Sequence, residues 1–183
     1  MKQTDAELVK LQTRAWIEHV VIGENLCPFA RPVLDRISLT VYTGVTQDDF
    51  LQAVVQQVFG LLDSKIDERP TSILILSQMG QGFAEYLDLA ALATCALEEL
   101  GVDDEIQIAT FHPHYQFDET DEDDPANWTN RSPQPMLHFL RTADVADVIS
   151  NYQGVEEIPA RNMARFRDLG LSAVRQLREK CMT

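Results

Sequence analysis

Ile73-Leu74-Ile75-Leu76 decides the fold. The four residues are apolar at every position and lie between the Arg69-Pro70 break and the glycine-bearing stretch Gln78-Met79-Gly80-Gln81-Gly82. A strand that is apolar on both faces is covered on both, which puts it inside a sheet. Upstream, Ile37-Ser38-Leu39-Thr40-Val41-Tyr42 alternates apolar and polar residues, as a half-buried strand does. Between the two, Thr46 is placed to cap a helix carrying Phe50, Leu51, Val54, Val55, Val58, Leu61 and Leu62 at helical period. Downstream, Phe83, Leu87, Ala90, Thr94, Leu97 and Leu100 mark one face of a further helix, which Gly101 stops. Ile106-Gln107-Ile108-Ala109-Thr110-Phe111 then reads as a third strand.

Strands alternating with helices of this length imply parallel pairing through right-handed crossovers. The expected architecture is α/β: a small parallel three-stranded sheet, order 1-2-3, from a βαβαβ core with both crossover helices on one face. N-terminal and C-terminal helices cover the other face. The first begins at a capping box, Thr4 with Glu7, and carries Leu8, Leu11, Ala15 and Trp16 to about Ile22, stopping at Gly23. His19 falls beside that stripe, as a packing residue. Later helices are expected from Pro133 or Pro135, from near Thr142, and from Pro159, where proline suits a first turn, with Gly170 dividing the last. With no internal repeat or boundary, residues 1–183 read as a single globular domain.

The chain has 15 basic and 29 acidic residues, a net charge of −14, which argues against nonspecific binding to nucleic acid or to an anionic membrane. Residues 158–183 are the exception, with six basic and two acidic residues, and read as a helix pairing internally with an acidic body. No apolar run approaches the roughly 20 residues needed to span a bilayer. The N-terminal residues lack the regions of a signal peptide, and Cys27, Cys95 and Cys181 show no disulfide or zinc-ribbon spacing. A reducing cytoplasm is the expected location.

The unusual chemistry sits in Phe111-His112-Pro113-His114-Tyr115-Gln116-Phe117 and Asn130-Arg131-Ser132-Pro133-Gln134-Pro135-Met136-Leu137-His138, which hold three of the four histidines. The first lies at the carboxyl end of the third strand, where open parallel sheets bind ligands. The Gln78–Gly82 loop lies at the corresponding end of the second, as either a flexible turn or a source of N–H groups for an anion. His112 and His114 have the spacing of a metal-binding pair, but nothing supplies further ligands at a required spacing, so no metal and no cofactor is assigned. The segment between Pro113 and Gln134 has no period of its own, and Tyr115, Phe117 and Trp128 indicate packing. Its acidic run from Asp118 to Asp124 reads as a solvated excursion. Arg131, just before an expected helix start, is poorly placed for the helix dipole and reads as a grip on a carboxylate or phosphate, internal or from a ligand. Cys27, in Asn25-Leu26-Cys27-Pro28-Phe29-Ala30-Arg31-Pro32, is either a small buried apolar residue or a nucleophile favoured by backbone N–H groups and Arg31.

On these pieces the chain resembles a bacterial family, the domain of unknown function 1415 group. The matching stretches are Asn25 to Ala30, Phe111-His112-Pro113 with Tyr115-Gln116-Phe117, Thr129 to Pro133 with Pro135, and Leu137-His138 through Arg141, together with Arg161-Asn162. The resemblance implies a bacterial cytoplasmic protein whose motifs form one site. It brings no activity, since the family has none established.

The leading functional expectation is an enzyme of hydrolase or transferase class acting on a small anionic molecule. His112 or His138 would be its acid or base and Cys27 its nucleophile. Arg31, Tyr115, Asn130 and Arg131 would bind the ligand. The alternative is a non-catalytic metabolite-binding or protein-interaction domain, with a histidine metal site as a third reading.

Overall fold

The computed structural model describes residues 3–144 and 154–182, with side chains from Asp5 onward. Helix α1 (Gln3–Trp16) widens into a π-helical stretch (Ile17–Ile22), and a 3-10 helix (Arg31–Arg36) leads to strand β1 (Ser38–Tyr42). Helix α2 (Gln47–Leu62), β2 (Thr71–Leu76), α3 (Phe83–Leu100) and β3 (Ile106–Phe111) follow. After a 3-10 helix (Pro125–Thr129) come β4 (Met136–Arg141), a short 3-10 turn (Val155–Glu157), α4 (Ile158–Leu169) and α5 (Leu171–Glu179). The helix expected to restart near Thr142 falls largely on residues outside those described.

The sheet is four-stranded and mixed, in the order β1-β2-β4-β3. β1 and β2 are parallel, while β4 runs antiparallel to both β2 and β3. The expectation of three parallel strands in the order 1-2-3 is therefore corrected. The three expected strands keep their common direction, but β4 is inserted between the second and third. Residues 136–141 are a strand and not the start of a helix because they alternate. Leu137 and Phe139 join the core against α2 and α3, while Met136 belongs to the core on the other face. A central strand is buried on both sides, so its apolar content resembles that of a buried helix.

Helix placement follows the sequence reading. Phe50, Val54, Val58 and Leu61 of α2 and Tyr86, Leu89, Ala93 and Leu97 of α3 pack on one face with Leu74, Leu76, Leu137 and Phe139. On the other face Trp16, Val20, Trp128, Phe166 and Val174 pack against Ile73, Ile75 and Met136. Thr46 caps α2, its hydroxyl accepting from the Asp49 N–H at 3.1 Å. Gly101 (φ 67°) and Gly170 (φ 80°) end their helices in the left-handed region that glycine enters without strain. Two helical phases differ from expectation. In α1 the buried residues are Gln12, Thr13 and Trp16, leaving Leu8 and Leu11 49% and 64% exposed. His19 is exposed as well. Gln12 and Thr13 tolerate burial because their side chains donate to the carbonyls of Met182 and Val9. In α3 Leu87 and Leu100 are exposed while the small Ala93 and Ala96 face the sheet.

Where β2 begins, buried polar groups close the sheet. Arg141 donates to the carbonyls of Arg69 and Pro70 (2.7 and 3.2 Å) and of Leu61 and Ser64 at the end of α2. Arg69 donates to Gln57 Oε1 at 2.9 Å and Ser72 Oγ at 2.8 Å.

Candidate functional site

The opposite end of the sheet carries the sequence motifs. His112 follows β3 and is fully buried. Its Nδ1 accepts the His114 backbone N–H at 3.0 Å, so Nε2 carries the proton and donates to the Gly80 carbonyl at 3.0 Å. Its ring lies 5.2 Å from Phe83 and 5.0 Å from Tyr86, centroid to centroid. Burial lowers its pKa, against a weaker pull from the Gly80 carbonyl. Gly80 has φ 65°, and a Cβ there would press on Leu89 Cδ1 at 3.2 Å, so glycine aims this carbonyl at His112 without strain.

His138 lies on β4 opposite Ile73 and Ala109. Its Nε2 is 2.6 Å from Thr71 Oγ1, which also donates to the Phe139 carbonyl at 2.7 Å. With the hydroxyl proton committed there, Nε2 is the donor to Thr71. An edge of the residue reaches solvent, yet the ring lies deep enough that burial brings its pKa down to about 4. His138 packs beside Phe111, which in turn meets Trp16. It therefore faces the terminal helices, whereas His112 faces α3. The two histidines lie on opposite sides of the sheet, so the structure does not bring these two members of the expected site together.

Cys27 is half-buried. The backbone N–H groups of Phe29 and Ala30 favour its thiolate, but burial outweighs them and raises the pKa. The preceding turn is tied to α4, where Arg161 donates to the Asn25 carbonyl and Asn162 to that of Leu26 (2.9 and 2.7 Å). Arg31 is exposed at the start of its 3-10 helix. Cys27, His112, Arg131 and His138 thus each have their own partners, and among the described residues none bonds another.

Arg131 is 6% exposed. It precedes a strand, so the helix-dipole reason for expecting an anion at it falls away. Its Nε donates to the Tyr115 carbonyl at 2.9 Å and Nη2 to that of Glu122 at 2.8 Å, and its guanidinium lies 3.8 Å from the Trp128 ring centre. Asn130 donates to the Thr110 carbonyl and accepts the His112 N–H through its own carbonyl. Tyr115 packs its ring between Phe83 and Phe117.

Sequence reasoning passed over three residues that organise this end. Tyr86 accepts the Phe111 N–H and donates to the Met136 carbonyl (2.9 and 2.8 Å), bridging β3 to β4; burial pushes its pKa upward. Asn127 is fully buried, and its amide ties Phe117, Thr120, Asp121 and Glu122 together. An asparagine among polar loop residues carries no sequence signal of burial. Arg178 donates to the Pro113 carbonyl at 3.1 Å while its buried Nε has no partner among the described residues. Nearby, Arg175 lies 5.6 Å from the Trp128 ring centre and pairs with Asp123 at 2.7 Å. Arg167 pairs with Asp124 at 2.7 Å. The acidic run is thus in part a docking strip for the basic C-terminal helices. No group of three or more metal-capable side chains occurs among the described residues.

Residues 8–176 match the family described as protein of unknown function DUF1415. The chain belongs to that family. No curated protein and no solved structure matches it. For this DUF1415 member, the stretches that carry the resemblance pin the Cys27 turn and the 113–135 loop, and through Arg141 the start of β2. No helix among the described residues is long and apolar enough to cross a membrane.

Proposed function

We propose that this chain is a non-catalytic binding domain for a small anionic molecule, held at the loop end of the sheet by Arg178 beside Arg131. The observation that carries the non-catalytic part is His112: both ring nitrogens are engaged by backbone groups, leaving none to take a proton from a substrate. His138 is neutral and bonded to Thr71, and burial keeps the Cys27 thiol protonated. No nucleophile–base pair is assembled among the described residues. The anionic part rests on the arginines. Arg131 and Arg178 bond carbonyls rather than carboxylates, and their mutual repulsion adds to the effect of burial in lowering the Arg131 pKa, partly offset by Glu122 and Asp123. An anion beside the two guanidinium groups would relieve that repulsion. Arg31, exposed and remote in sequence, has no part in this reading.

Trp128 between Arg131 and Arg175 is a built-in reporter. Titration with inorganic phosphate, sulfate and a small dicarboxylate should give a saturable change in tryptophan fluorescence and a raised melting temperature, both lost in Arg178→Gln. No response up to about 10 mM, a binding free energy near −3 kcal/mol, would sink the anion reading. Turnover of an ester or phosphoester substrate that Cys27→Ala abolishes would sink the non-catalytic one.

A further inference from the structure

We infer that two copies of this chain pair edge to edge through β1, antiparallel about a two-fold axis at Thr40, joining their sheets into one of eight strands. The two edges of the sheet differ. Along β3 the Asn130 side chain bonds the Thr110 carbonyl, and the Asn130 carbonyl takes the His112 N–H, so the end of that edge is closed by the chain itself. Along β1 the Ser77 N–H donates to the Tyr42 carbonyl, so Tyr42, and with it Thr40 and Ser38, point their backbone groups inward to β2. Leu39 and Val41 therefore point theirs outward, and among the described residues nothing bonds them. β1 contains no charge, no proline and no bulge, the devices by which unused edges are protected.

The outward pattern is its own complement. With Thr40 facing Thr40 of the second copy, Leu39 faces Val41 and Val41 faces Leu39. Both are then hydrogen-bonded pairs, so four N–H···O bonds form with no group left over. Thr40 turns toward α2, where it meets Gln57, so Leu39 and Val41 lie on the α1 side. There Leu39 and Ile37 share a shallow groove with Leu11, and the two most exposed large apolar residues, Val45 and Leu11, lie just after β1 and across from it. The charges around the groove suit a second copy: Glu7 pairs with Lys10 at 3.0 Å and Arg14 with Asp35 at 3.6 Å. Two acids and two bases make this patch neutral in a chain of net charge −14, so it can meet itself without the repulsion expected elsewhere.

Sedimentation should find a particle of twice the 20.7 kDa chain mass. Val41→Pro removes an outward N–H and no inward bond, so it should fold and run as a monomer. Leu39→Lys, which keeps the backbone intact, should do the same. In a Cys95→Ser chain, Thr40→Cys should oxidise to a disulfide-linked dimer, because a central non-hydrogen-bonded pair brings the two Cα atoms to about 4.5 Å. A wild-type chain that stays monomeric up to about 100 µM overturns the inference. So does a dimer that survives both Val41→Pro and Leu39→Lys, or one in which Thr40→Cys does not cross-link.

Discussion

Arginines seal both ends of the sheet, with different surroundings. Where β2 begins, Arg141 donates to carbonyls that include those of Leu61 and Ser64, at the close of the sixteen-residue α2. The last carbonyls of a helix lack intrahelical partners and carry the negative end of its dipole, so a cation is favoured there. Where β3 ends, Arg131 also donates to carbonyls, but these belong to an irregular loop, and its charged neighbours include Arg175 and Arg178. The first seal also holds a repelling pair, since burial and Arg141 lower the Arg69 pKa and the buried Arg69 Nε has no partner among the described residues, but there the helix end offsets the charge. At the second, the acids that offset the Arg131 charge are Glu122 and Asp123 at the surface, with no helix end among its partners in the described residues, and the anion is proposed there.

The largest effect should come from the seal where β2 begins. Arg141→Ala strips partners from several carbonyls at once and should cost about 3–4 kcal/mol in chemical denaturation. A loss under about 1 kcal/mol would break the contrast. Acid comes next, through His138 between the two ends. Its pKa is lowered on folding from 6.5 to about 4, so the unfolded chain binds more protons across that window. Stability then rises with pH, is complete above the unfolded value, and is lost as pH falls toward 4, by at most about 3.5 kcal/mol at ~1.4 kcal/mol per pKa unit. His112 acts in the same direction. Melting curves of His138→Gln should lack most of this acid sensitivity while both arginine seals remain. Arg131→Ala should cost about 2 kcal/mol, since water reaches its loop acceptors more readily than those under α2. Proteolysis should then fall between Pro113 and Gln134 before global unfolding. Smallest of all, Arg178→Gln removes a repelling charge and should move stability by less than about 1 kcal/mol in either direction, while erasing the response to phosphate. Equal losses from Arg178→Gln and Arg141→Ala would show the two ends to be alike.

Much of the fold could be read from local pattern. The all-apolar β2, the alternation of β1, the Thr46 cap and the stops at Gly101 and Gly170 each state a backbone requirement in a few residues. β4 could not be read so directly: Pro133 and Pro135 suit a helix start, and Met136 to Leu140 is apolar enough for either element. Its alternation was the available signal, with Leu137 and Phe139 set against His138. The candidate site was legible as a set of unusual residues, but not as an arrangement. Which face His112 and His138 take depends on strand parity within an order that β4 rearranges. Arg131's partners are carbonyls, which every residue has and no sequence pattern marks.

The placement of β4 also governs the order in which the sheet can be completed during synthesis. β3 pairs with β4 and not with β2. As the chain leaves the ribosome, β1 and β2 can zip together early, but β3 must wait until residues 136–141 emerge and slide into the gap. Until then one flank of β2 and all of β3 lie open to any other nascent strand, so a pause after β3 has left the ribosome and before β4 has done so is where this protein would be most prone to aggregate.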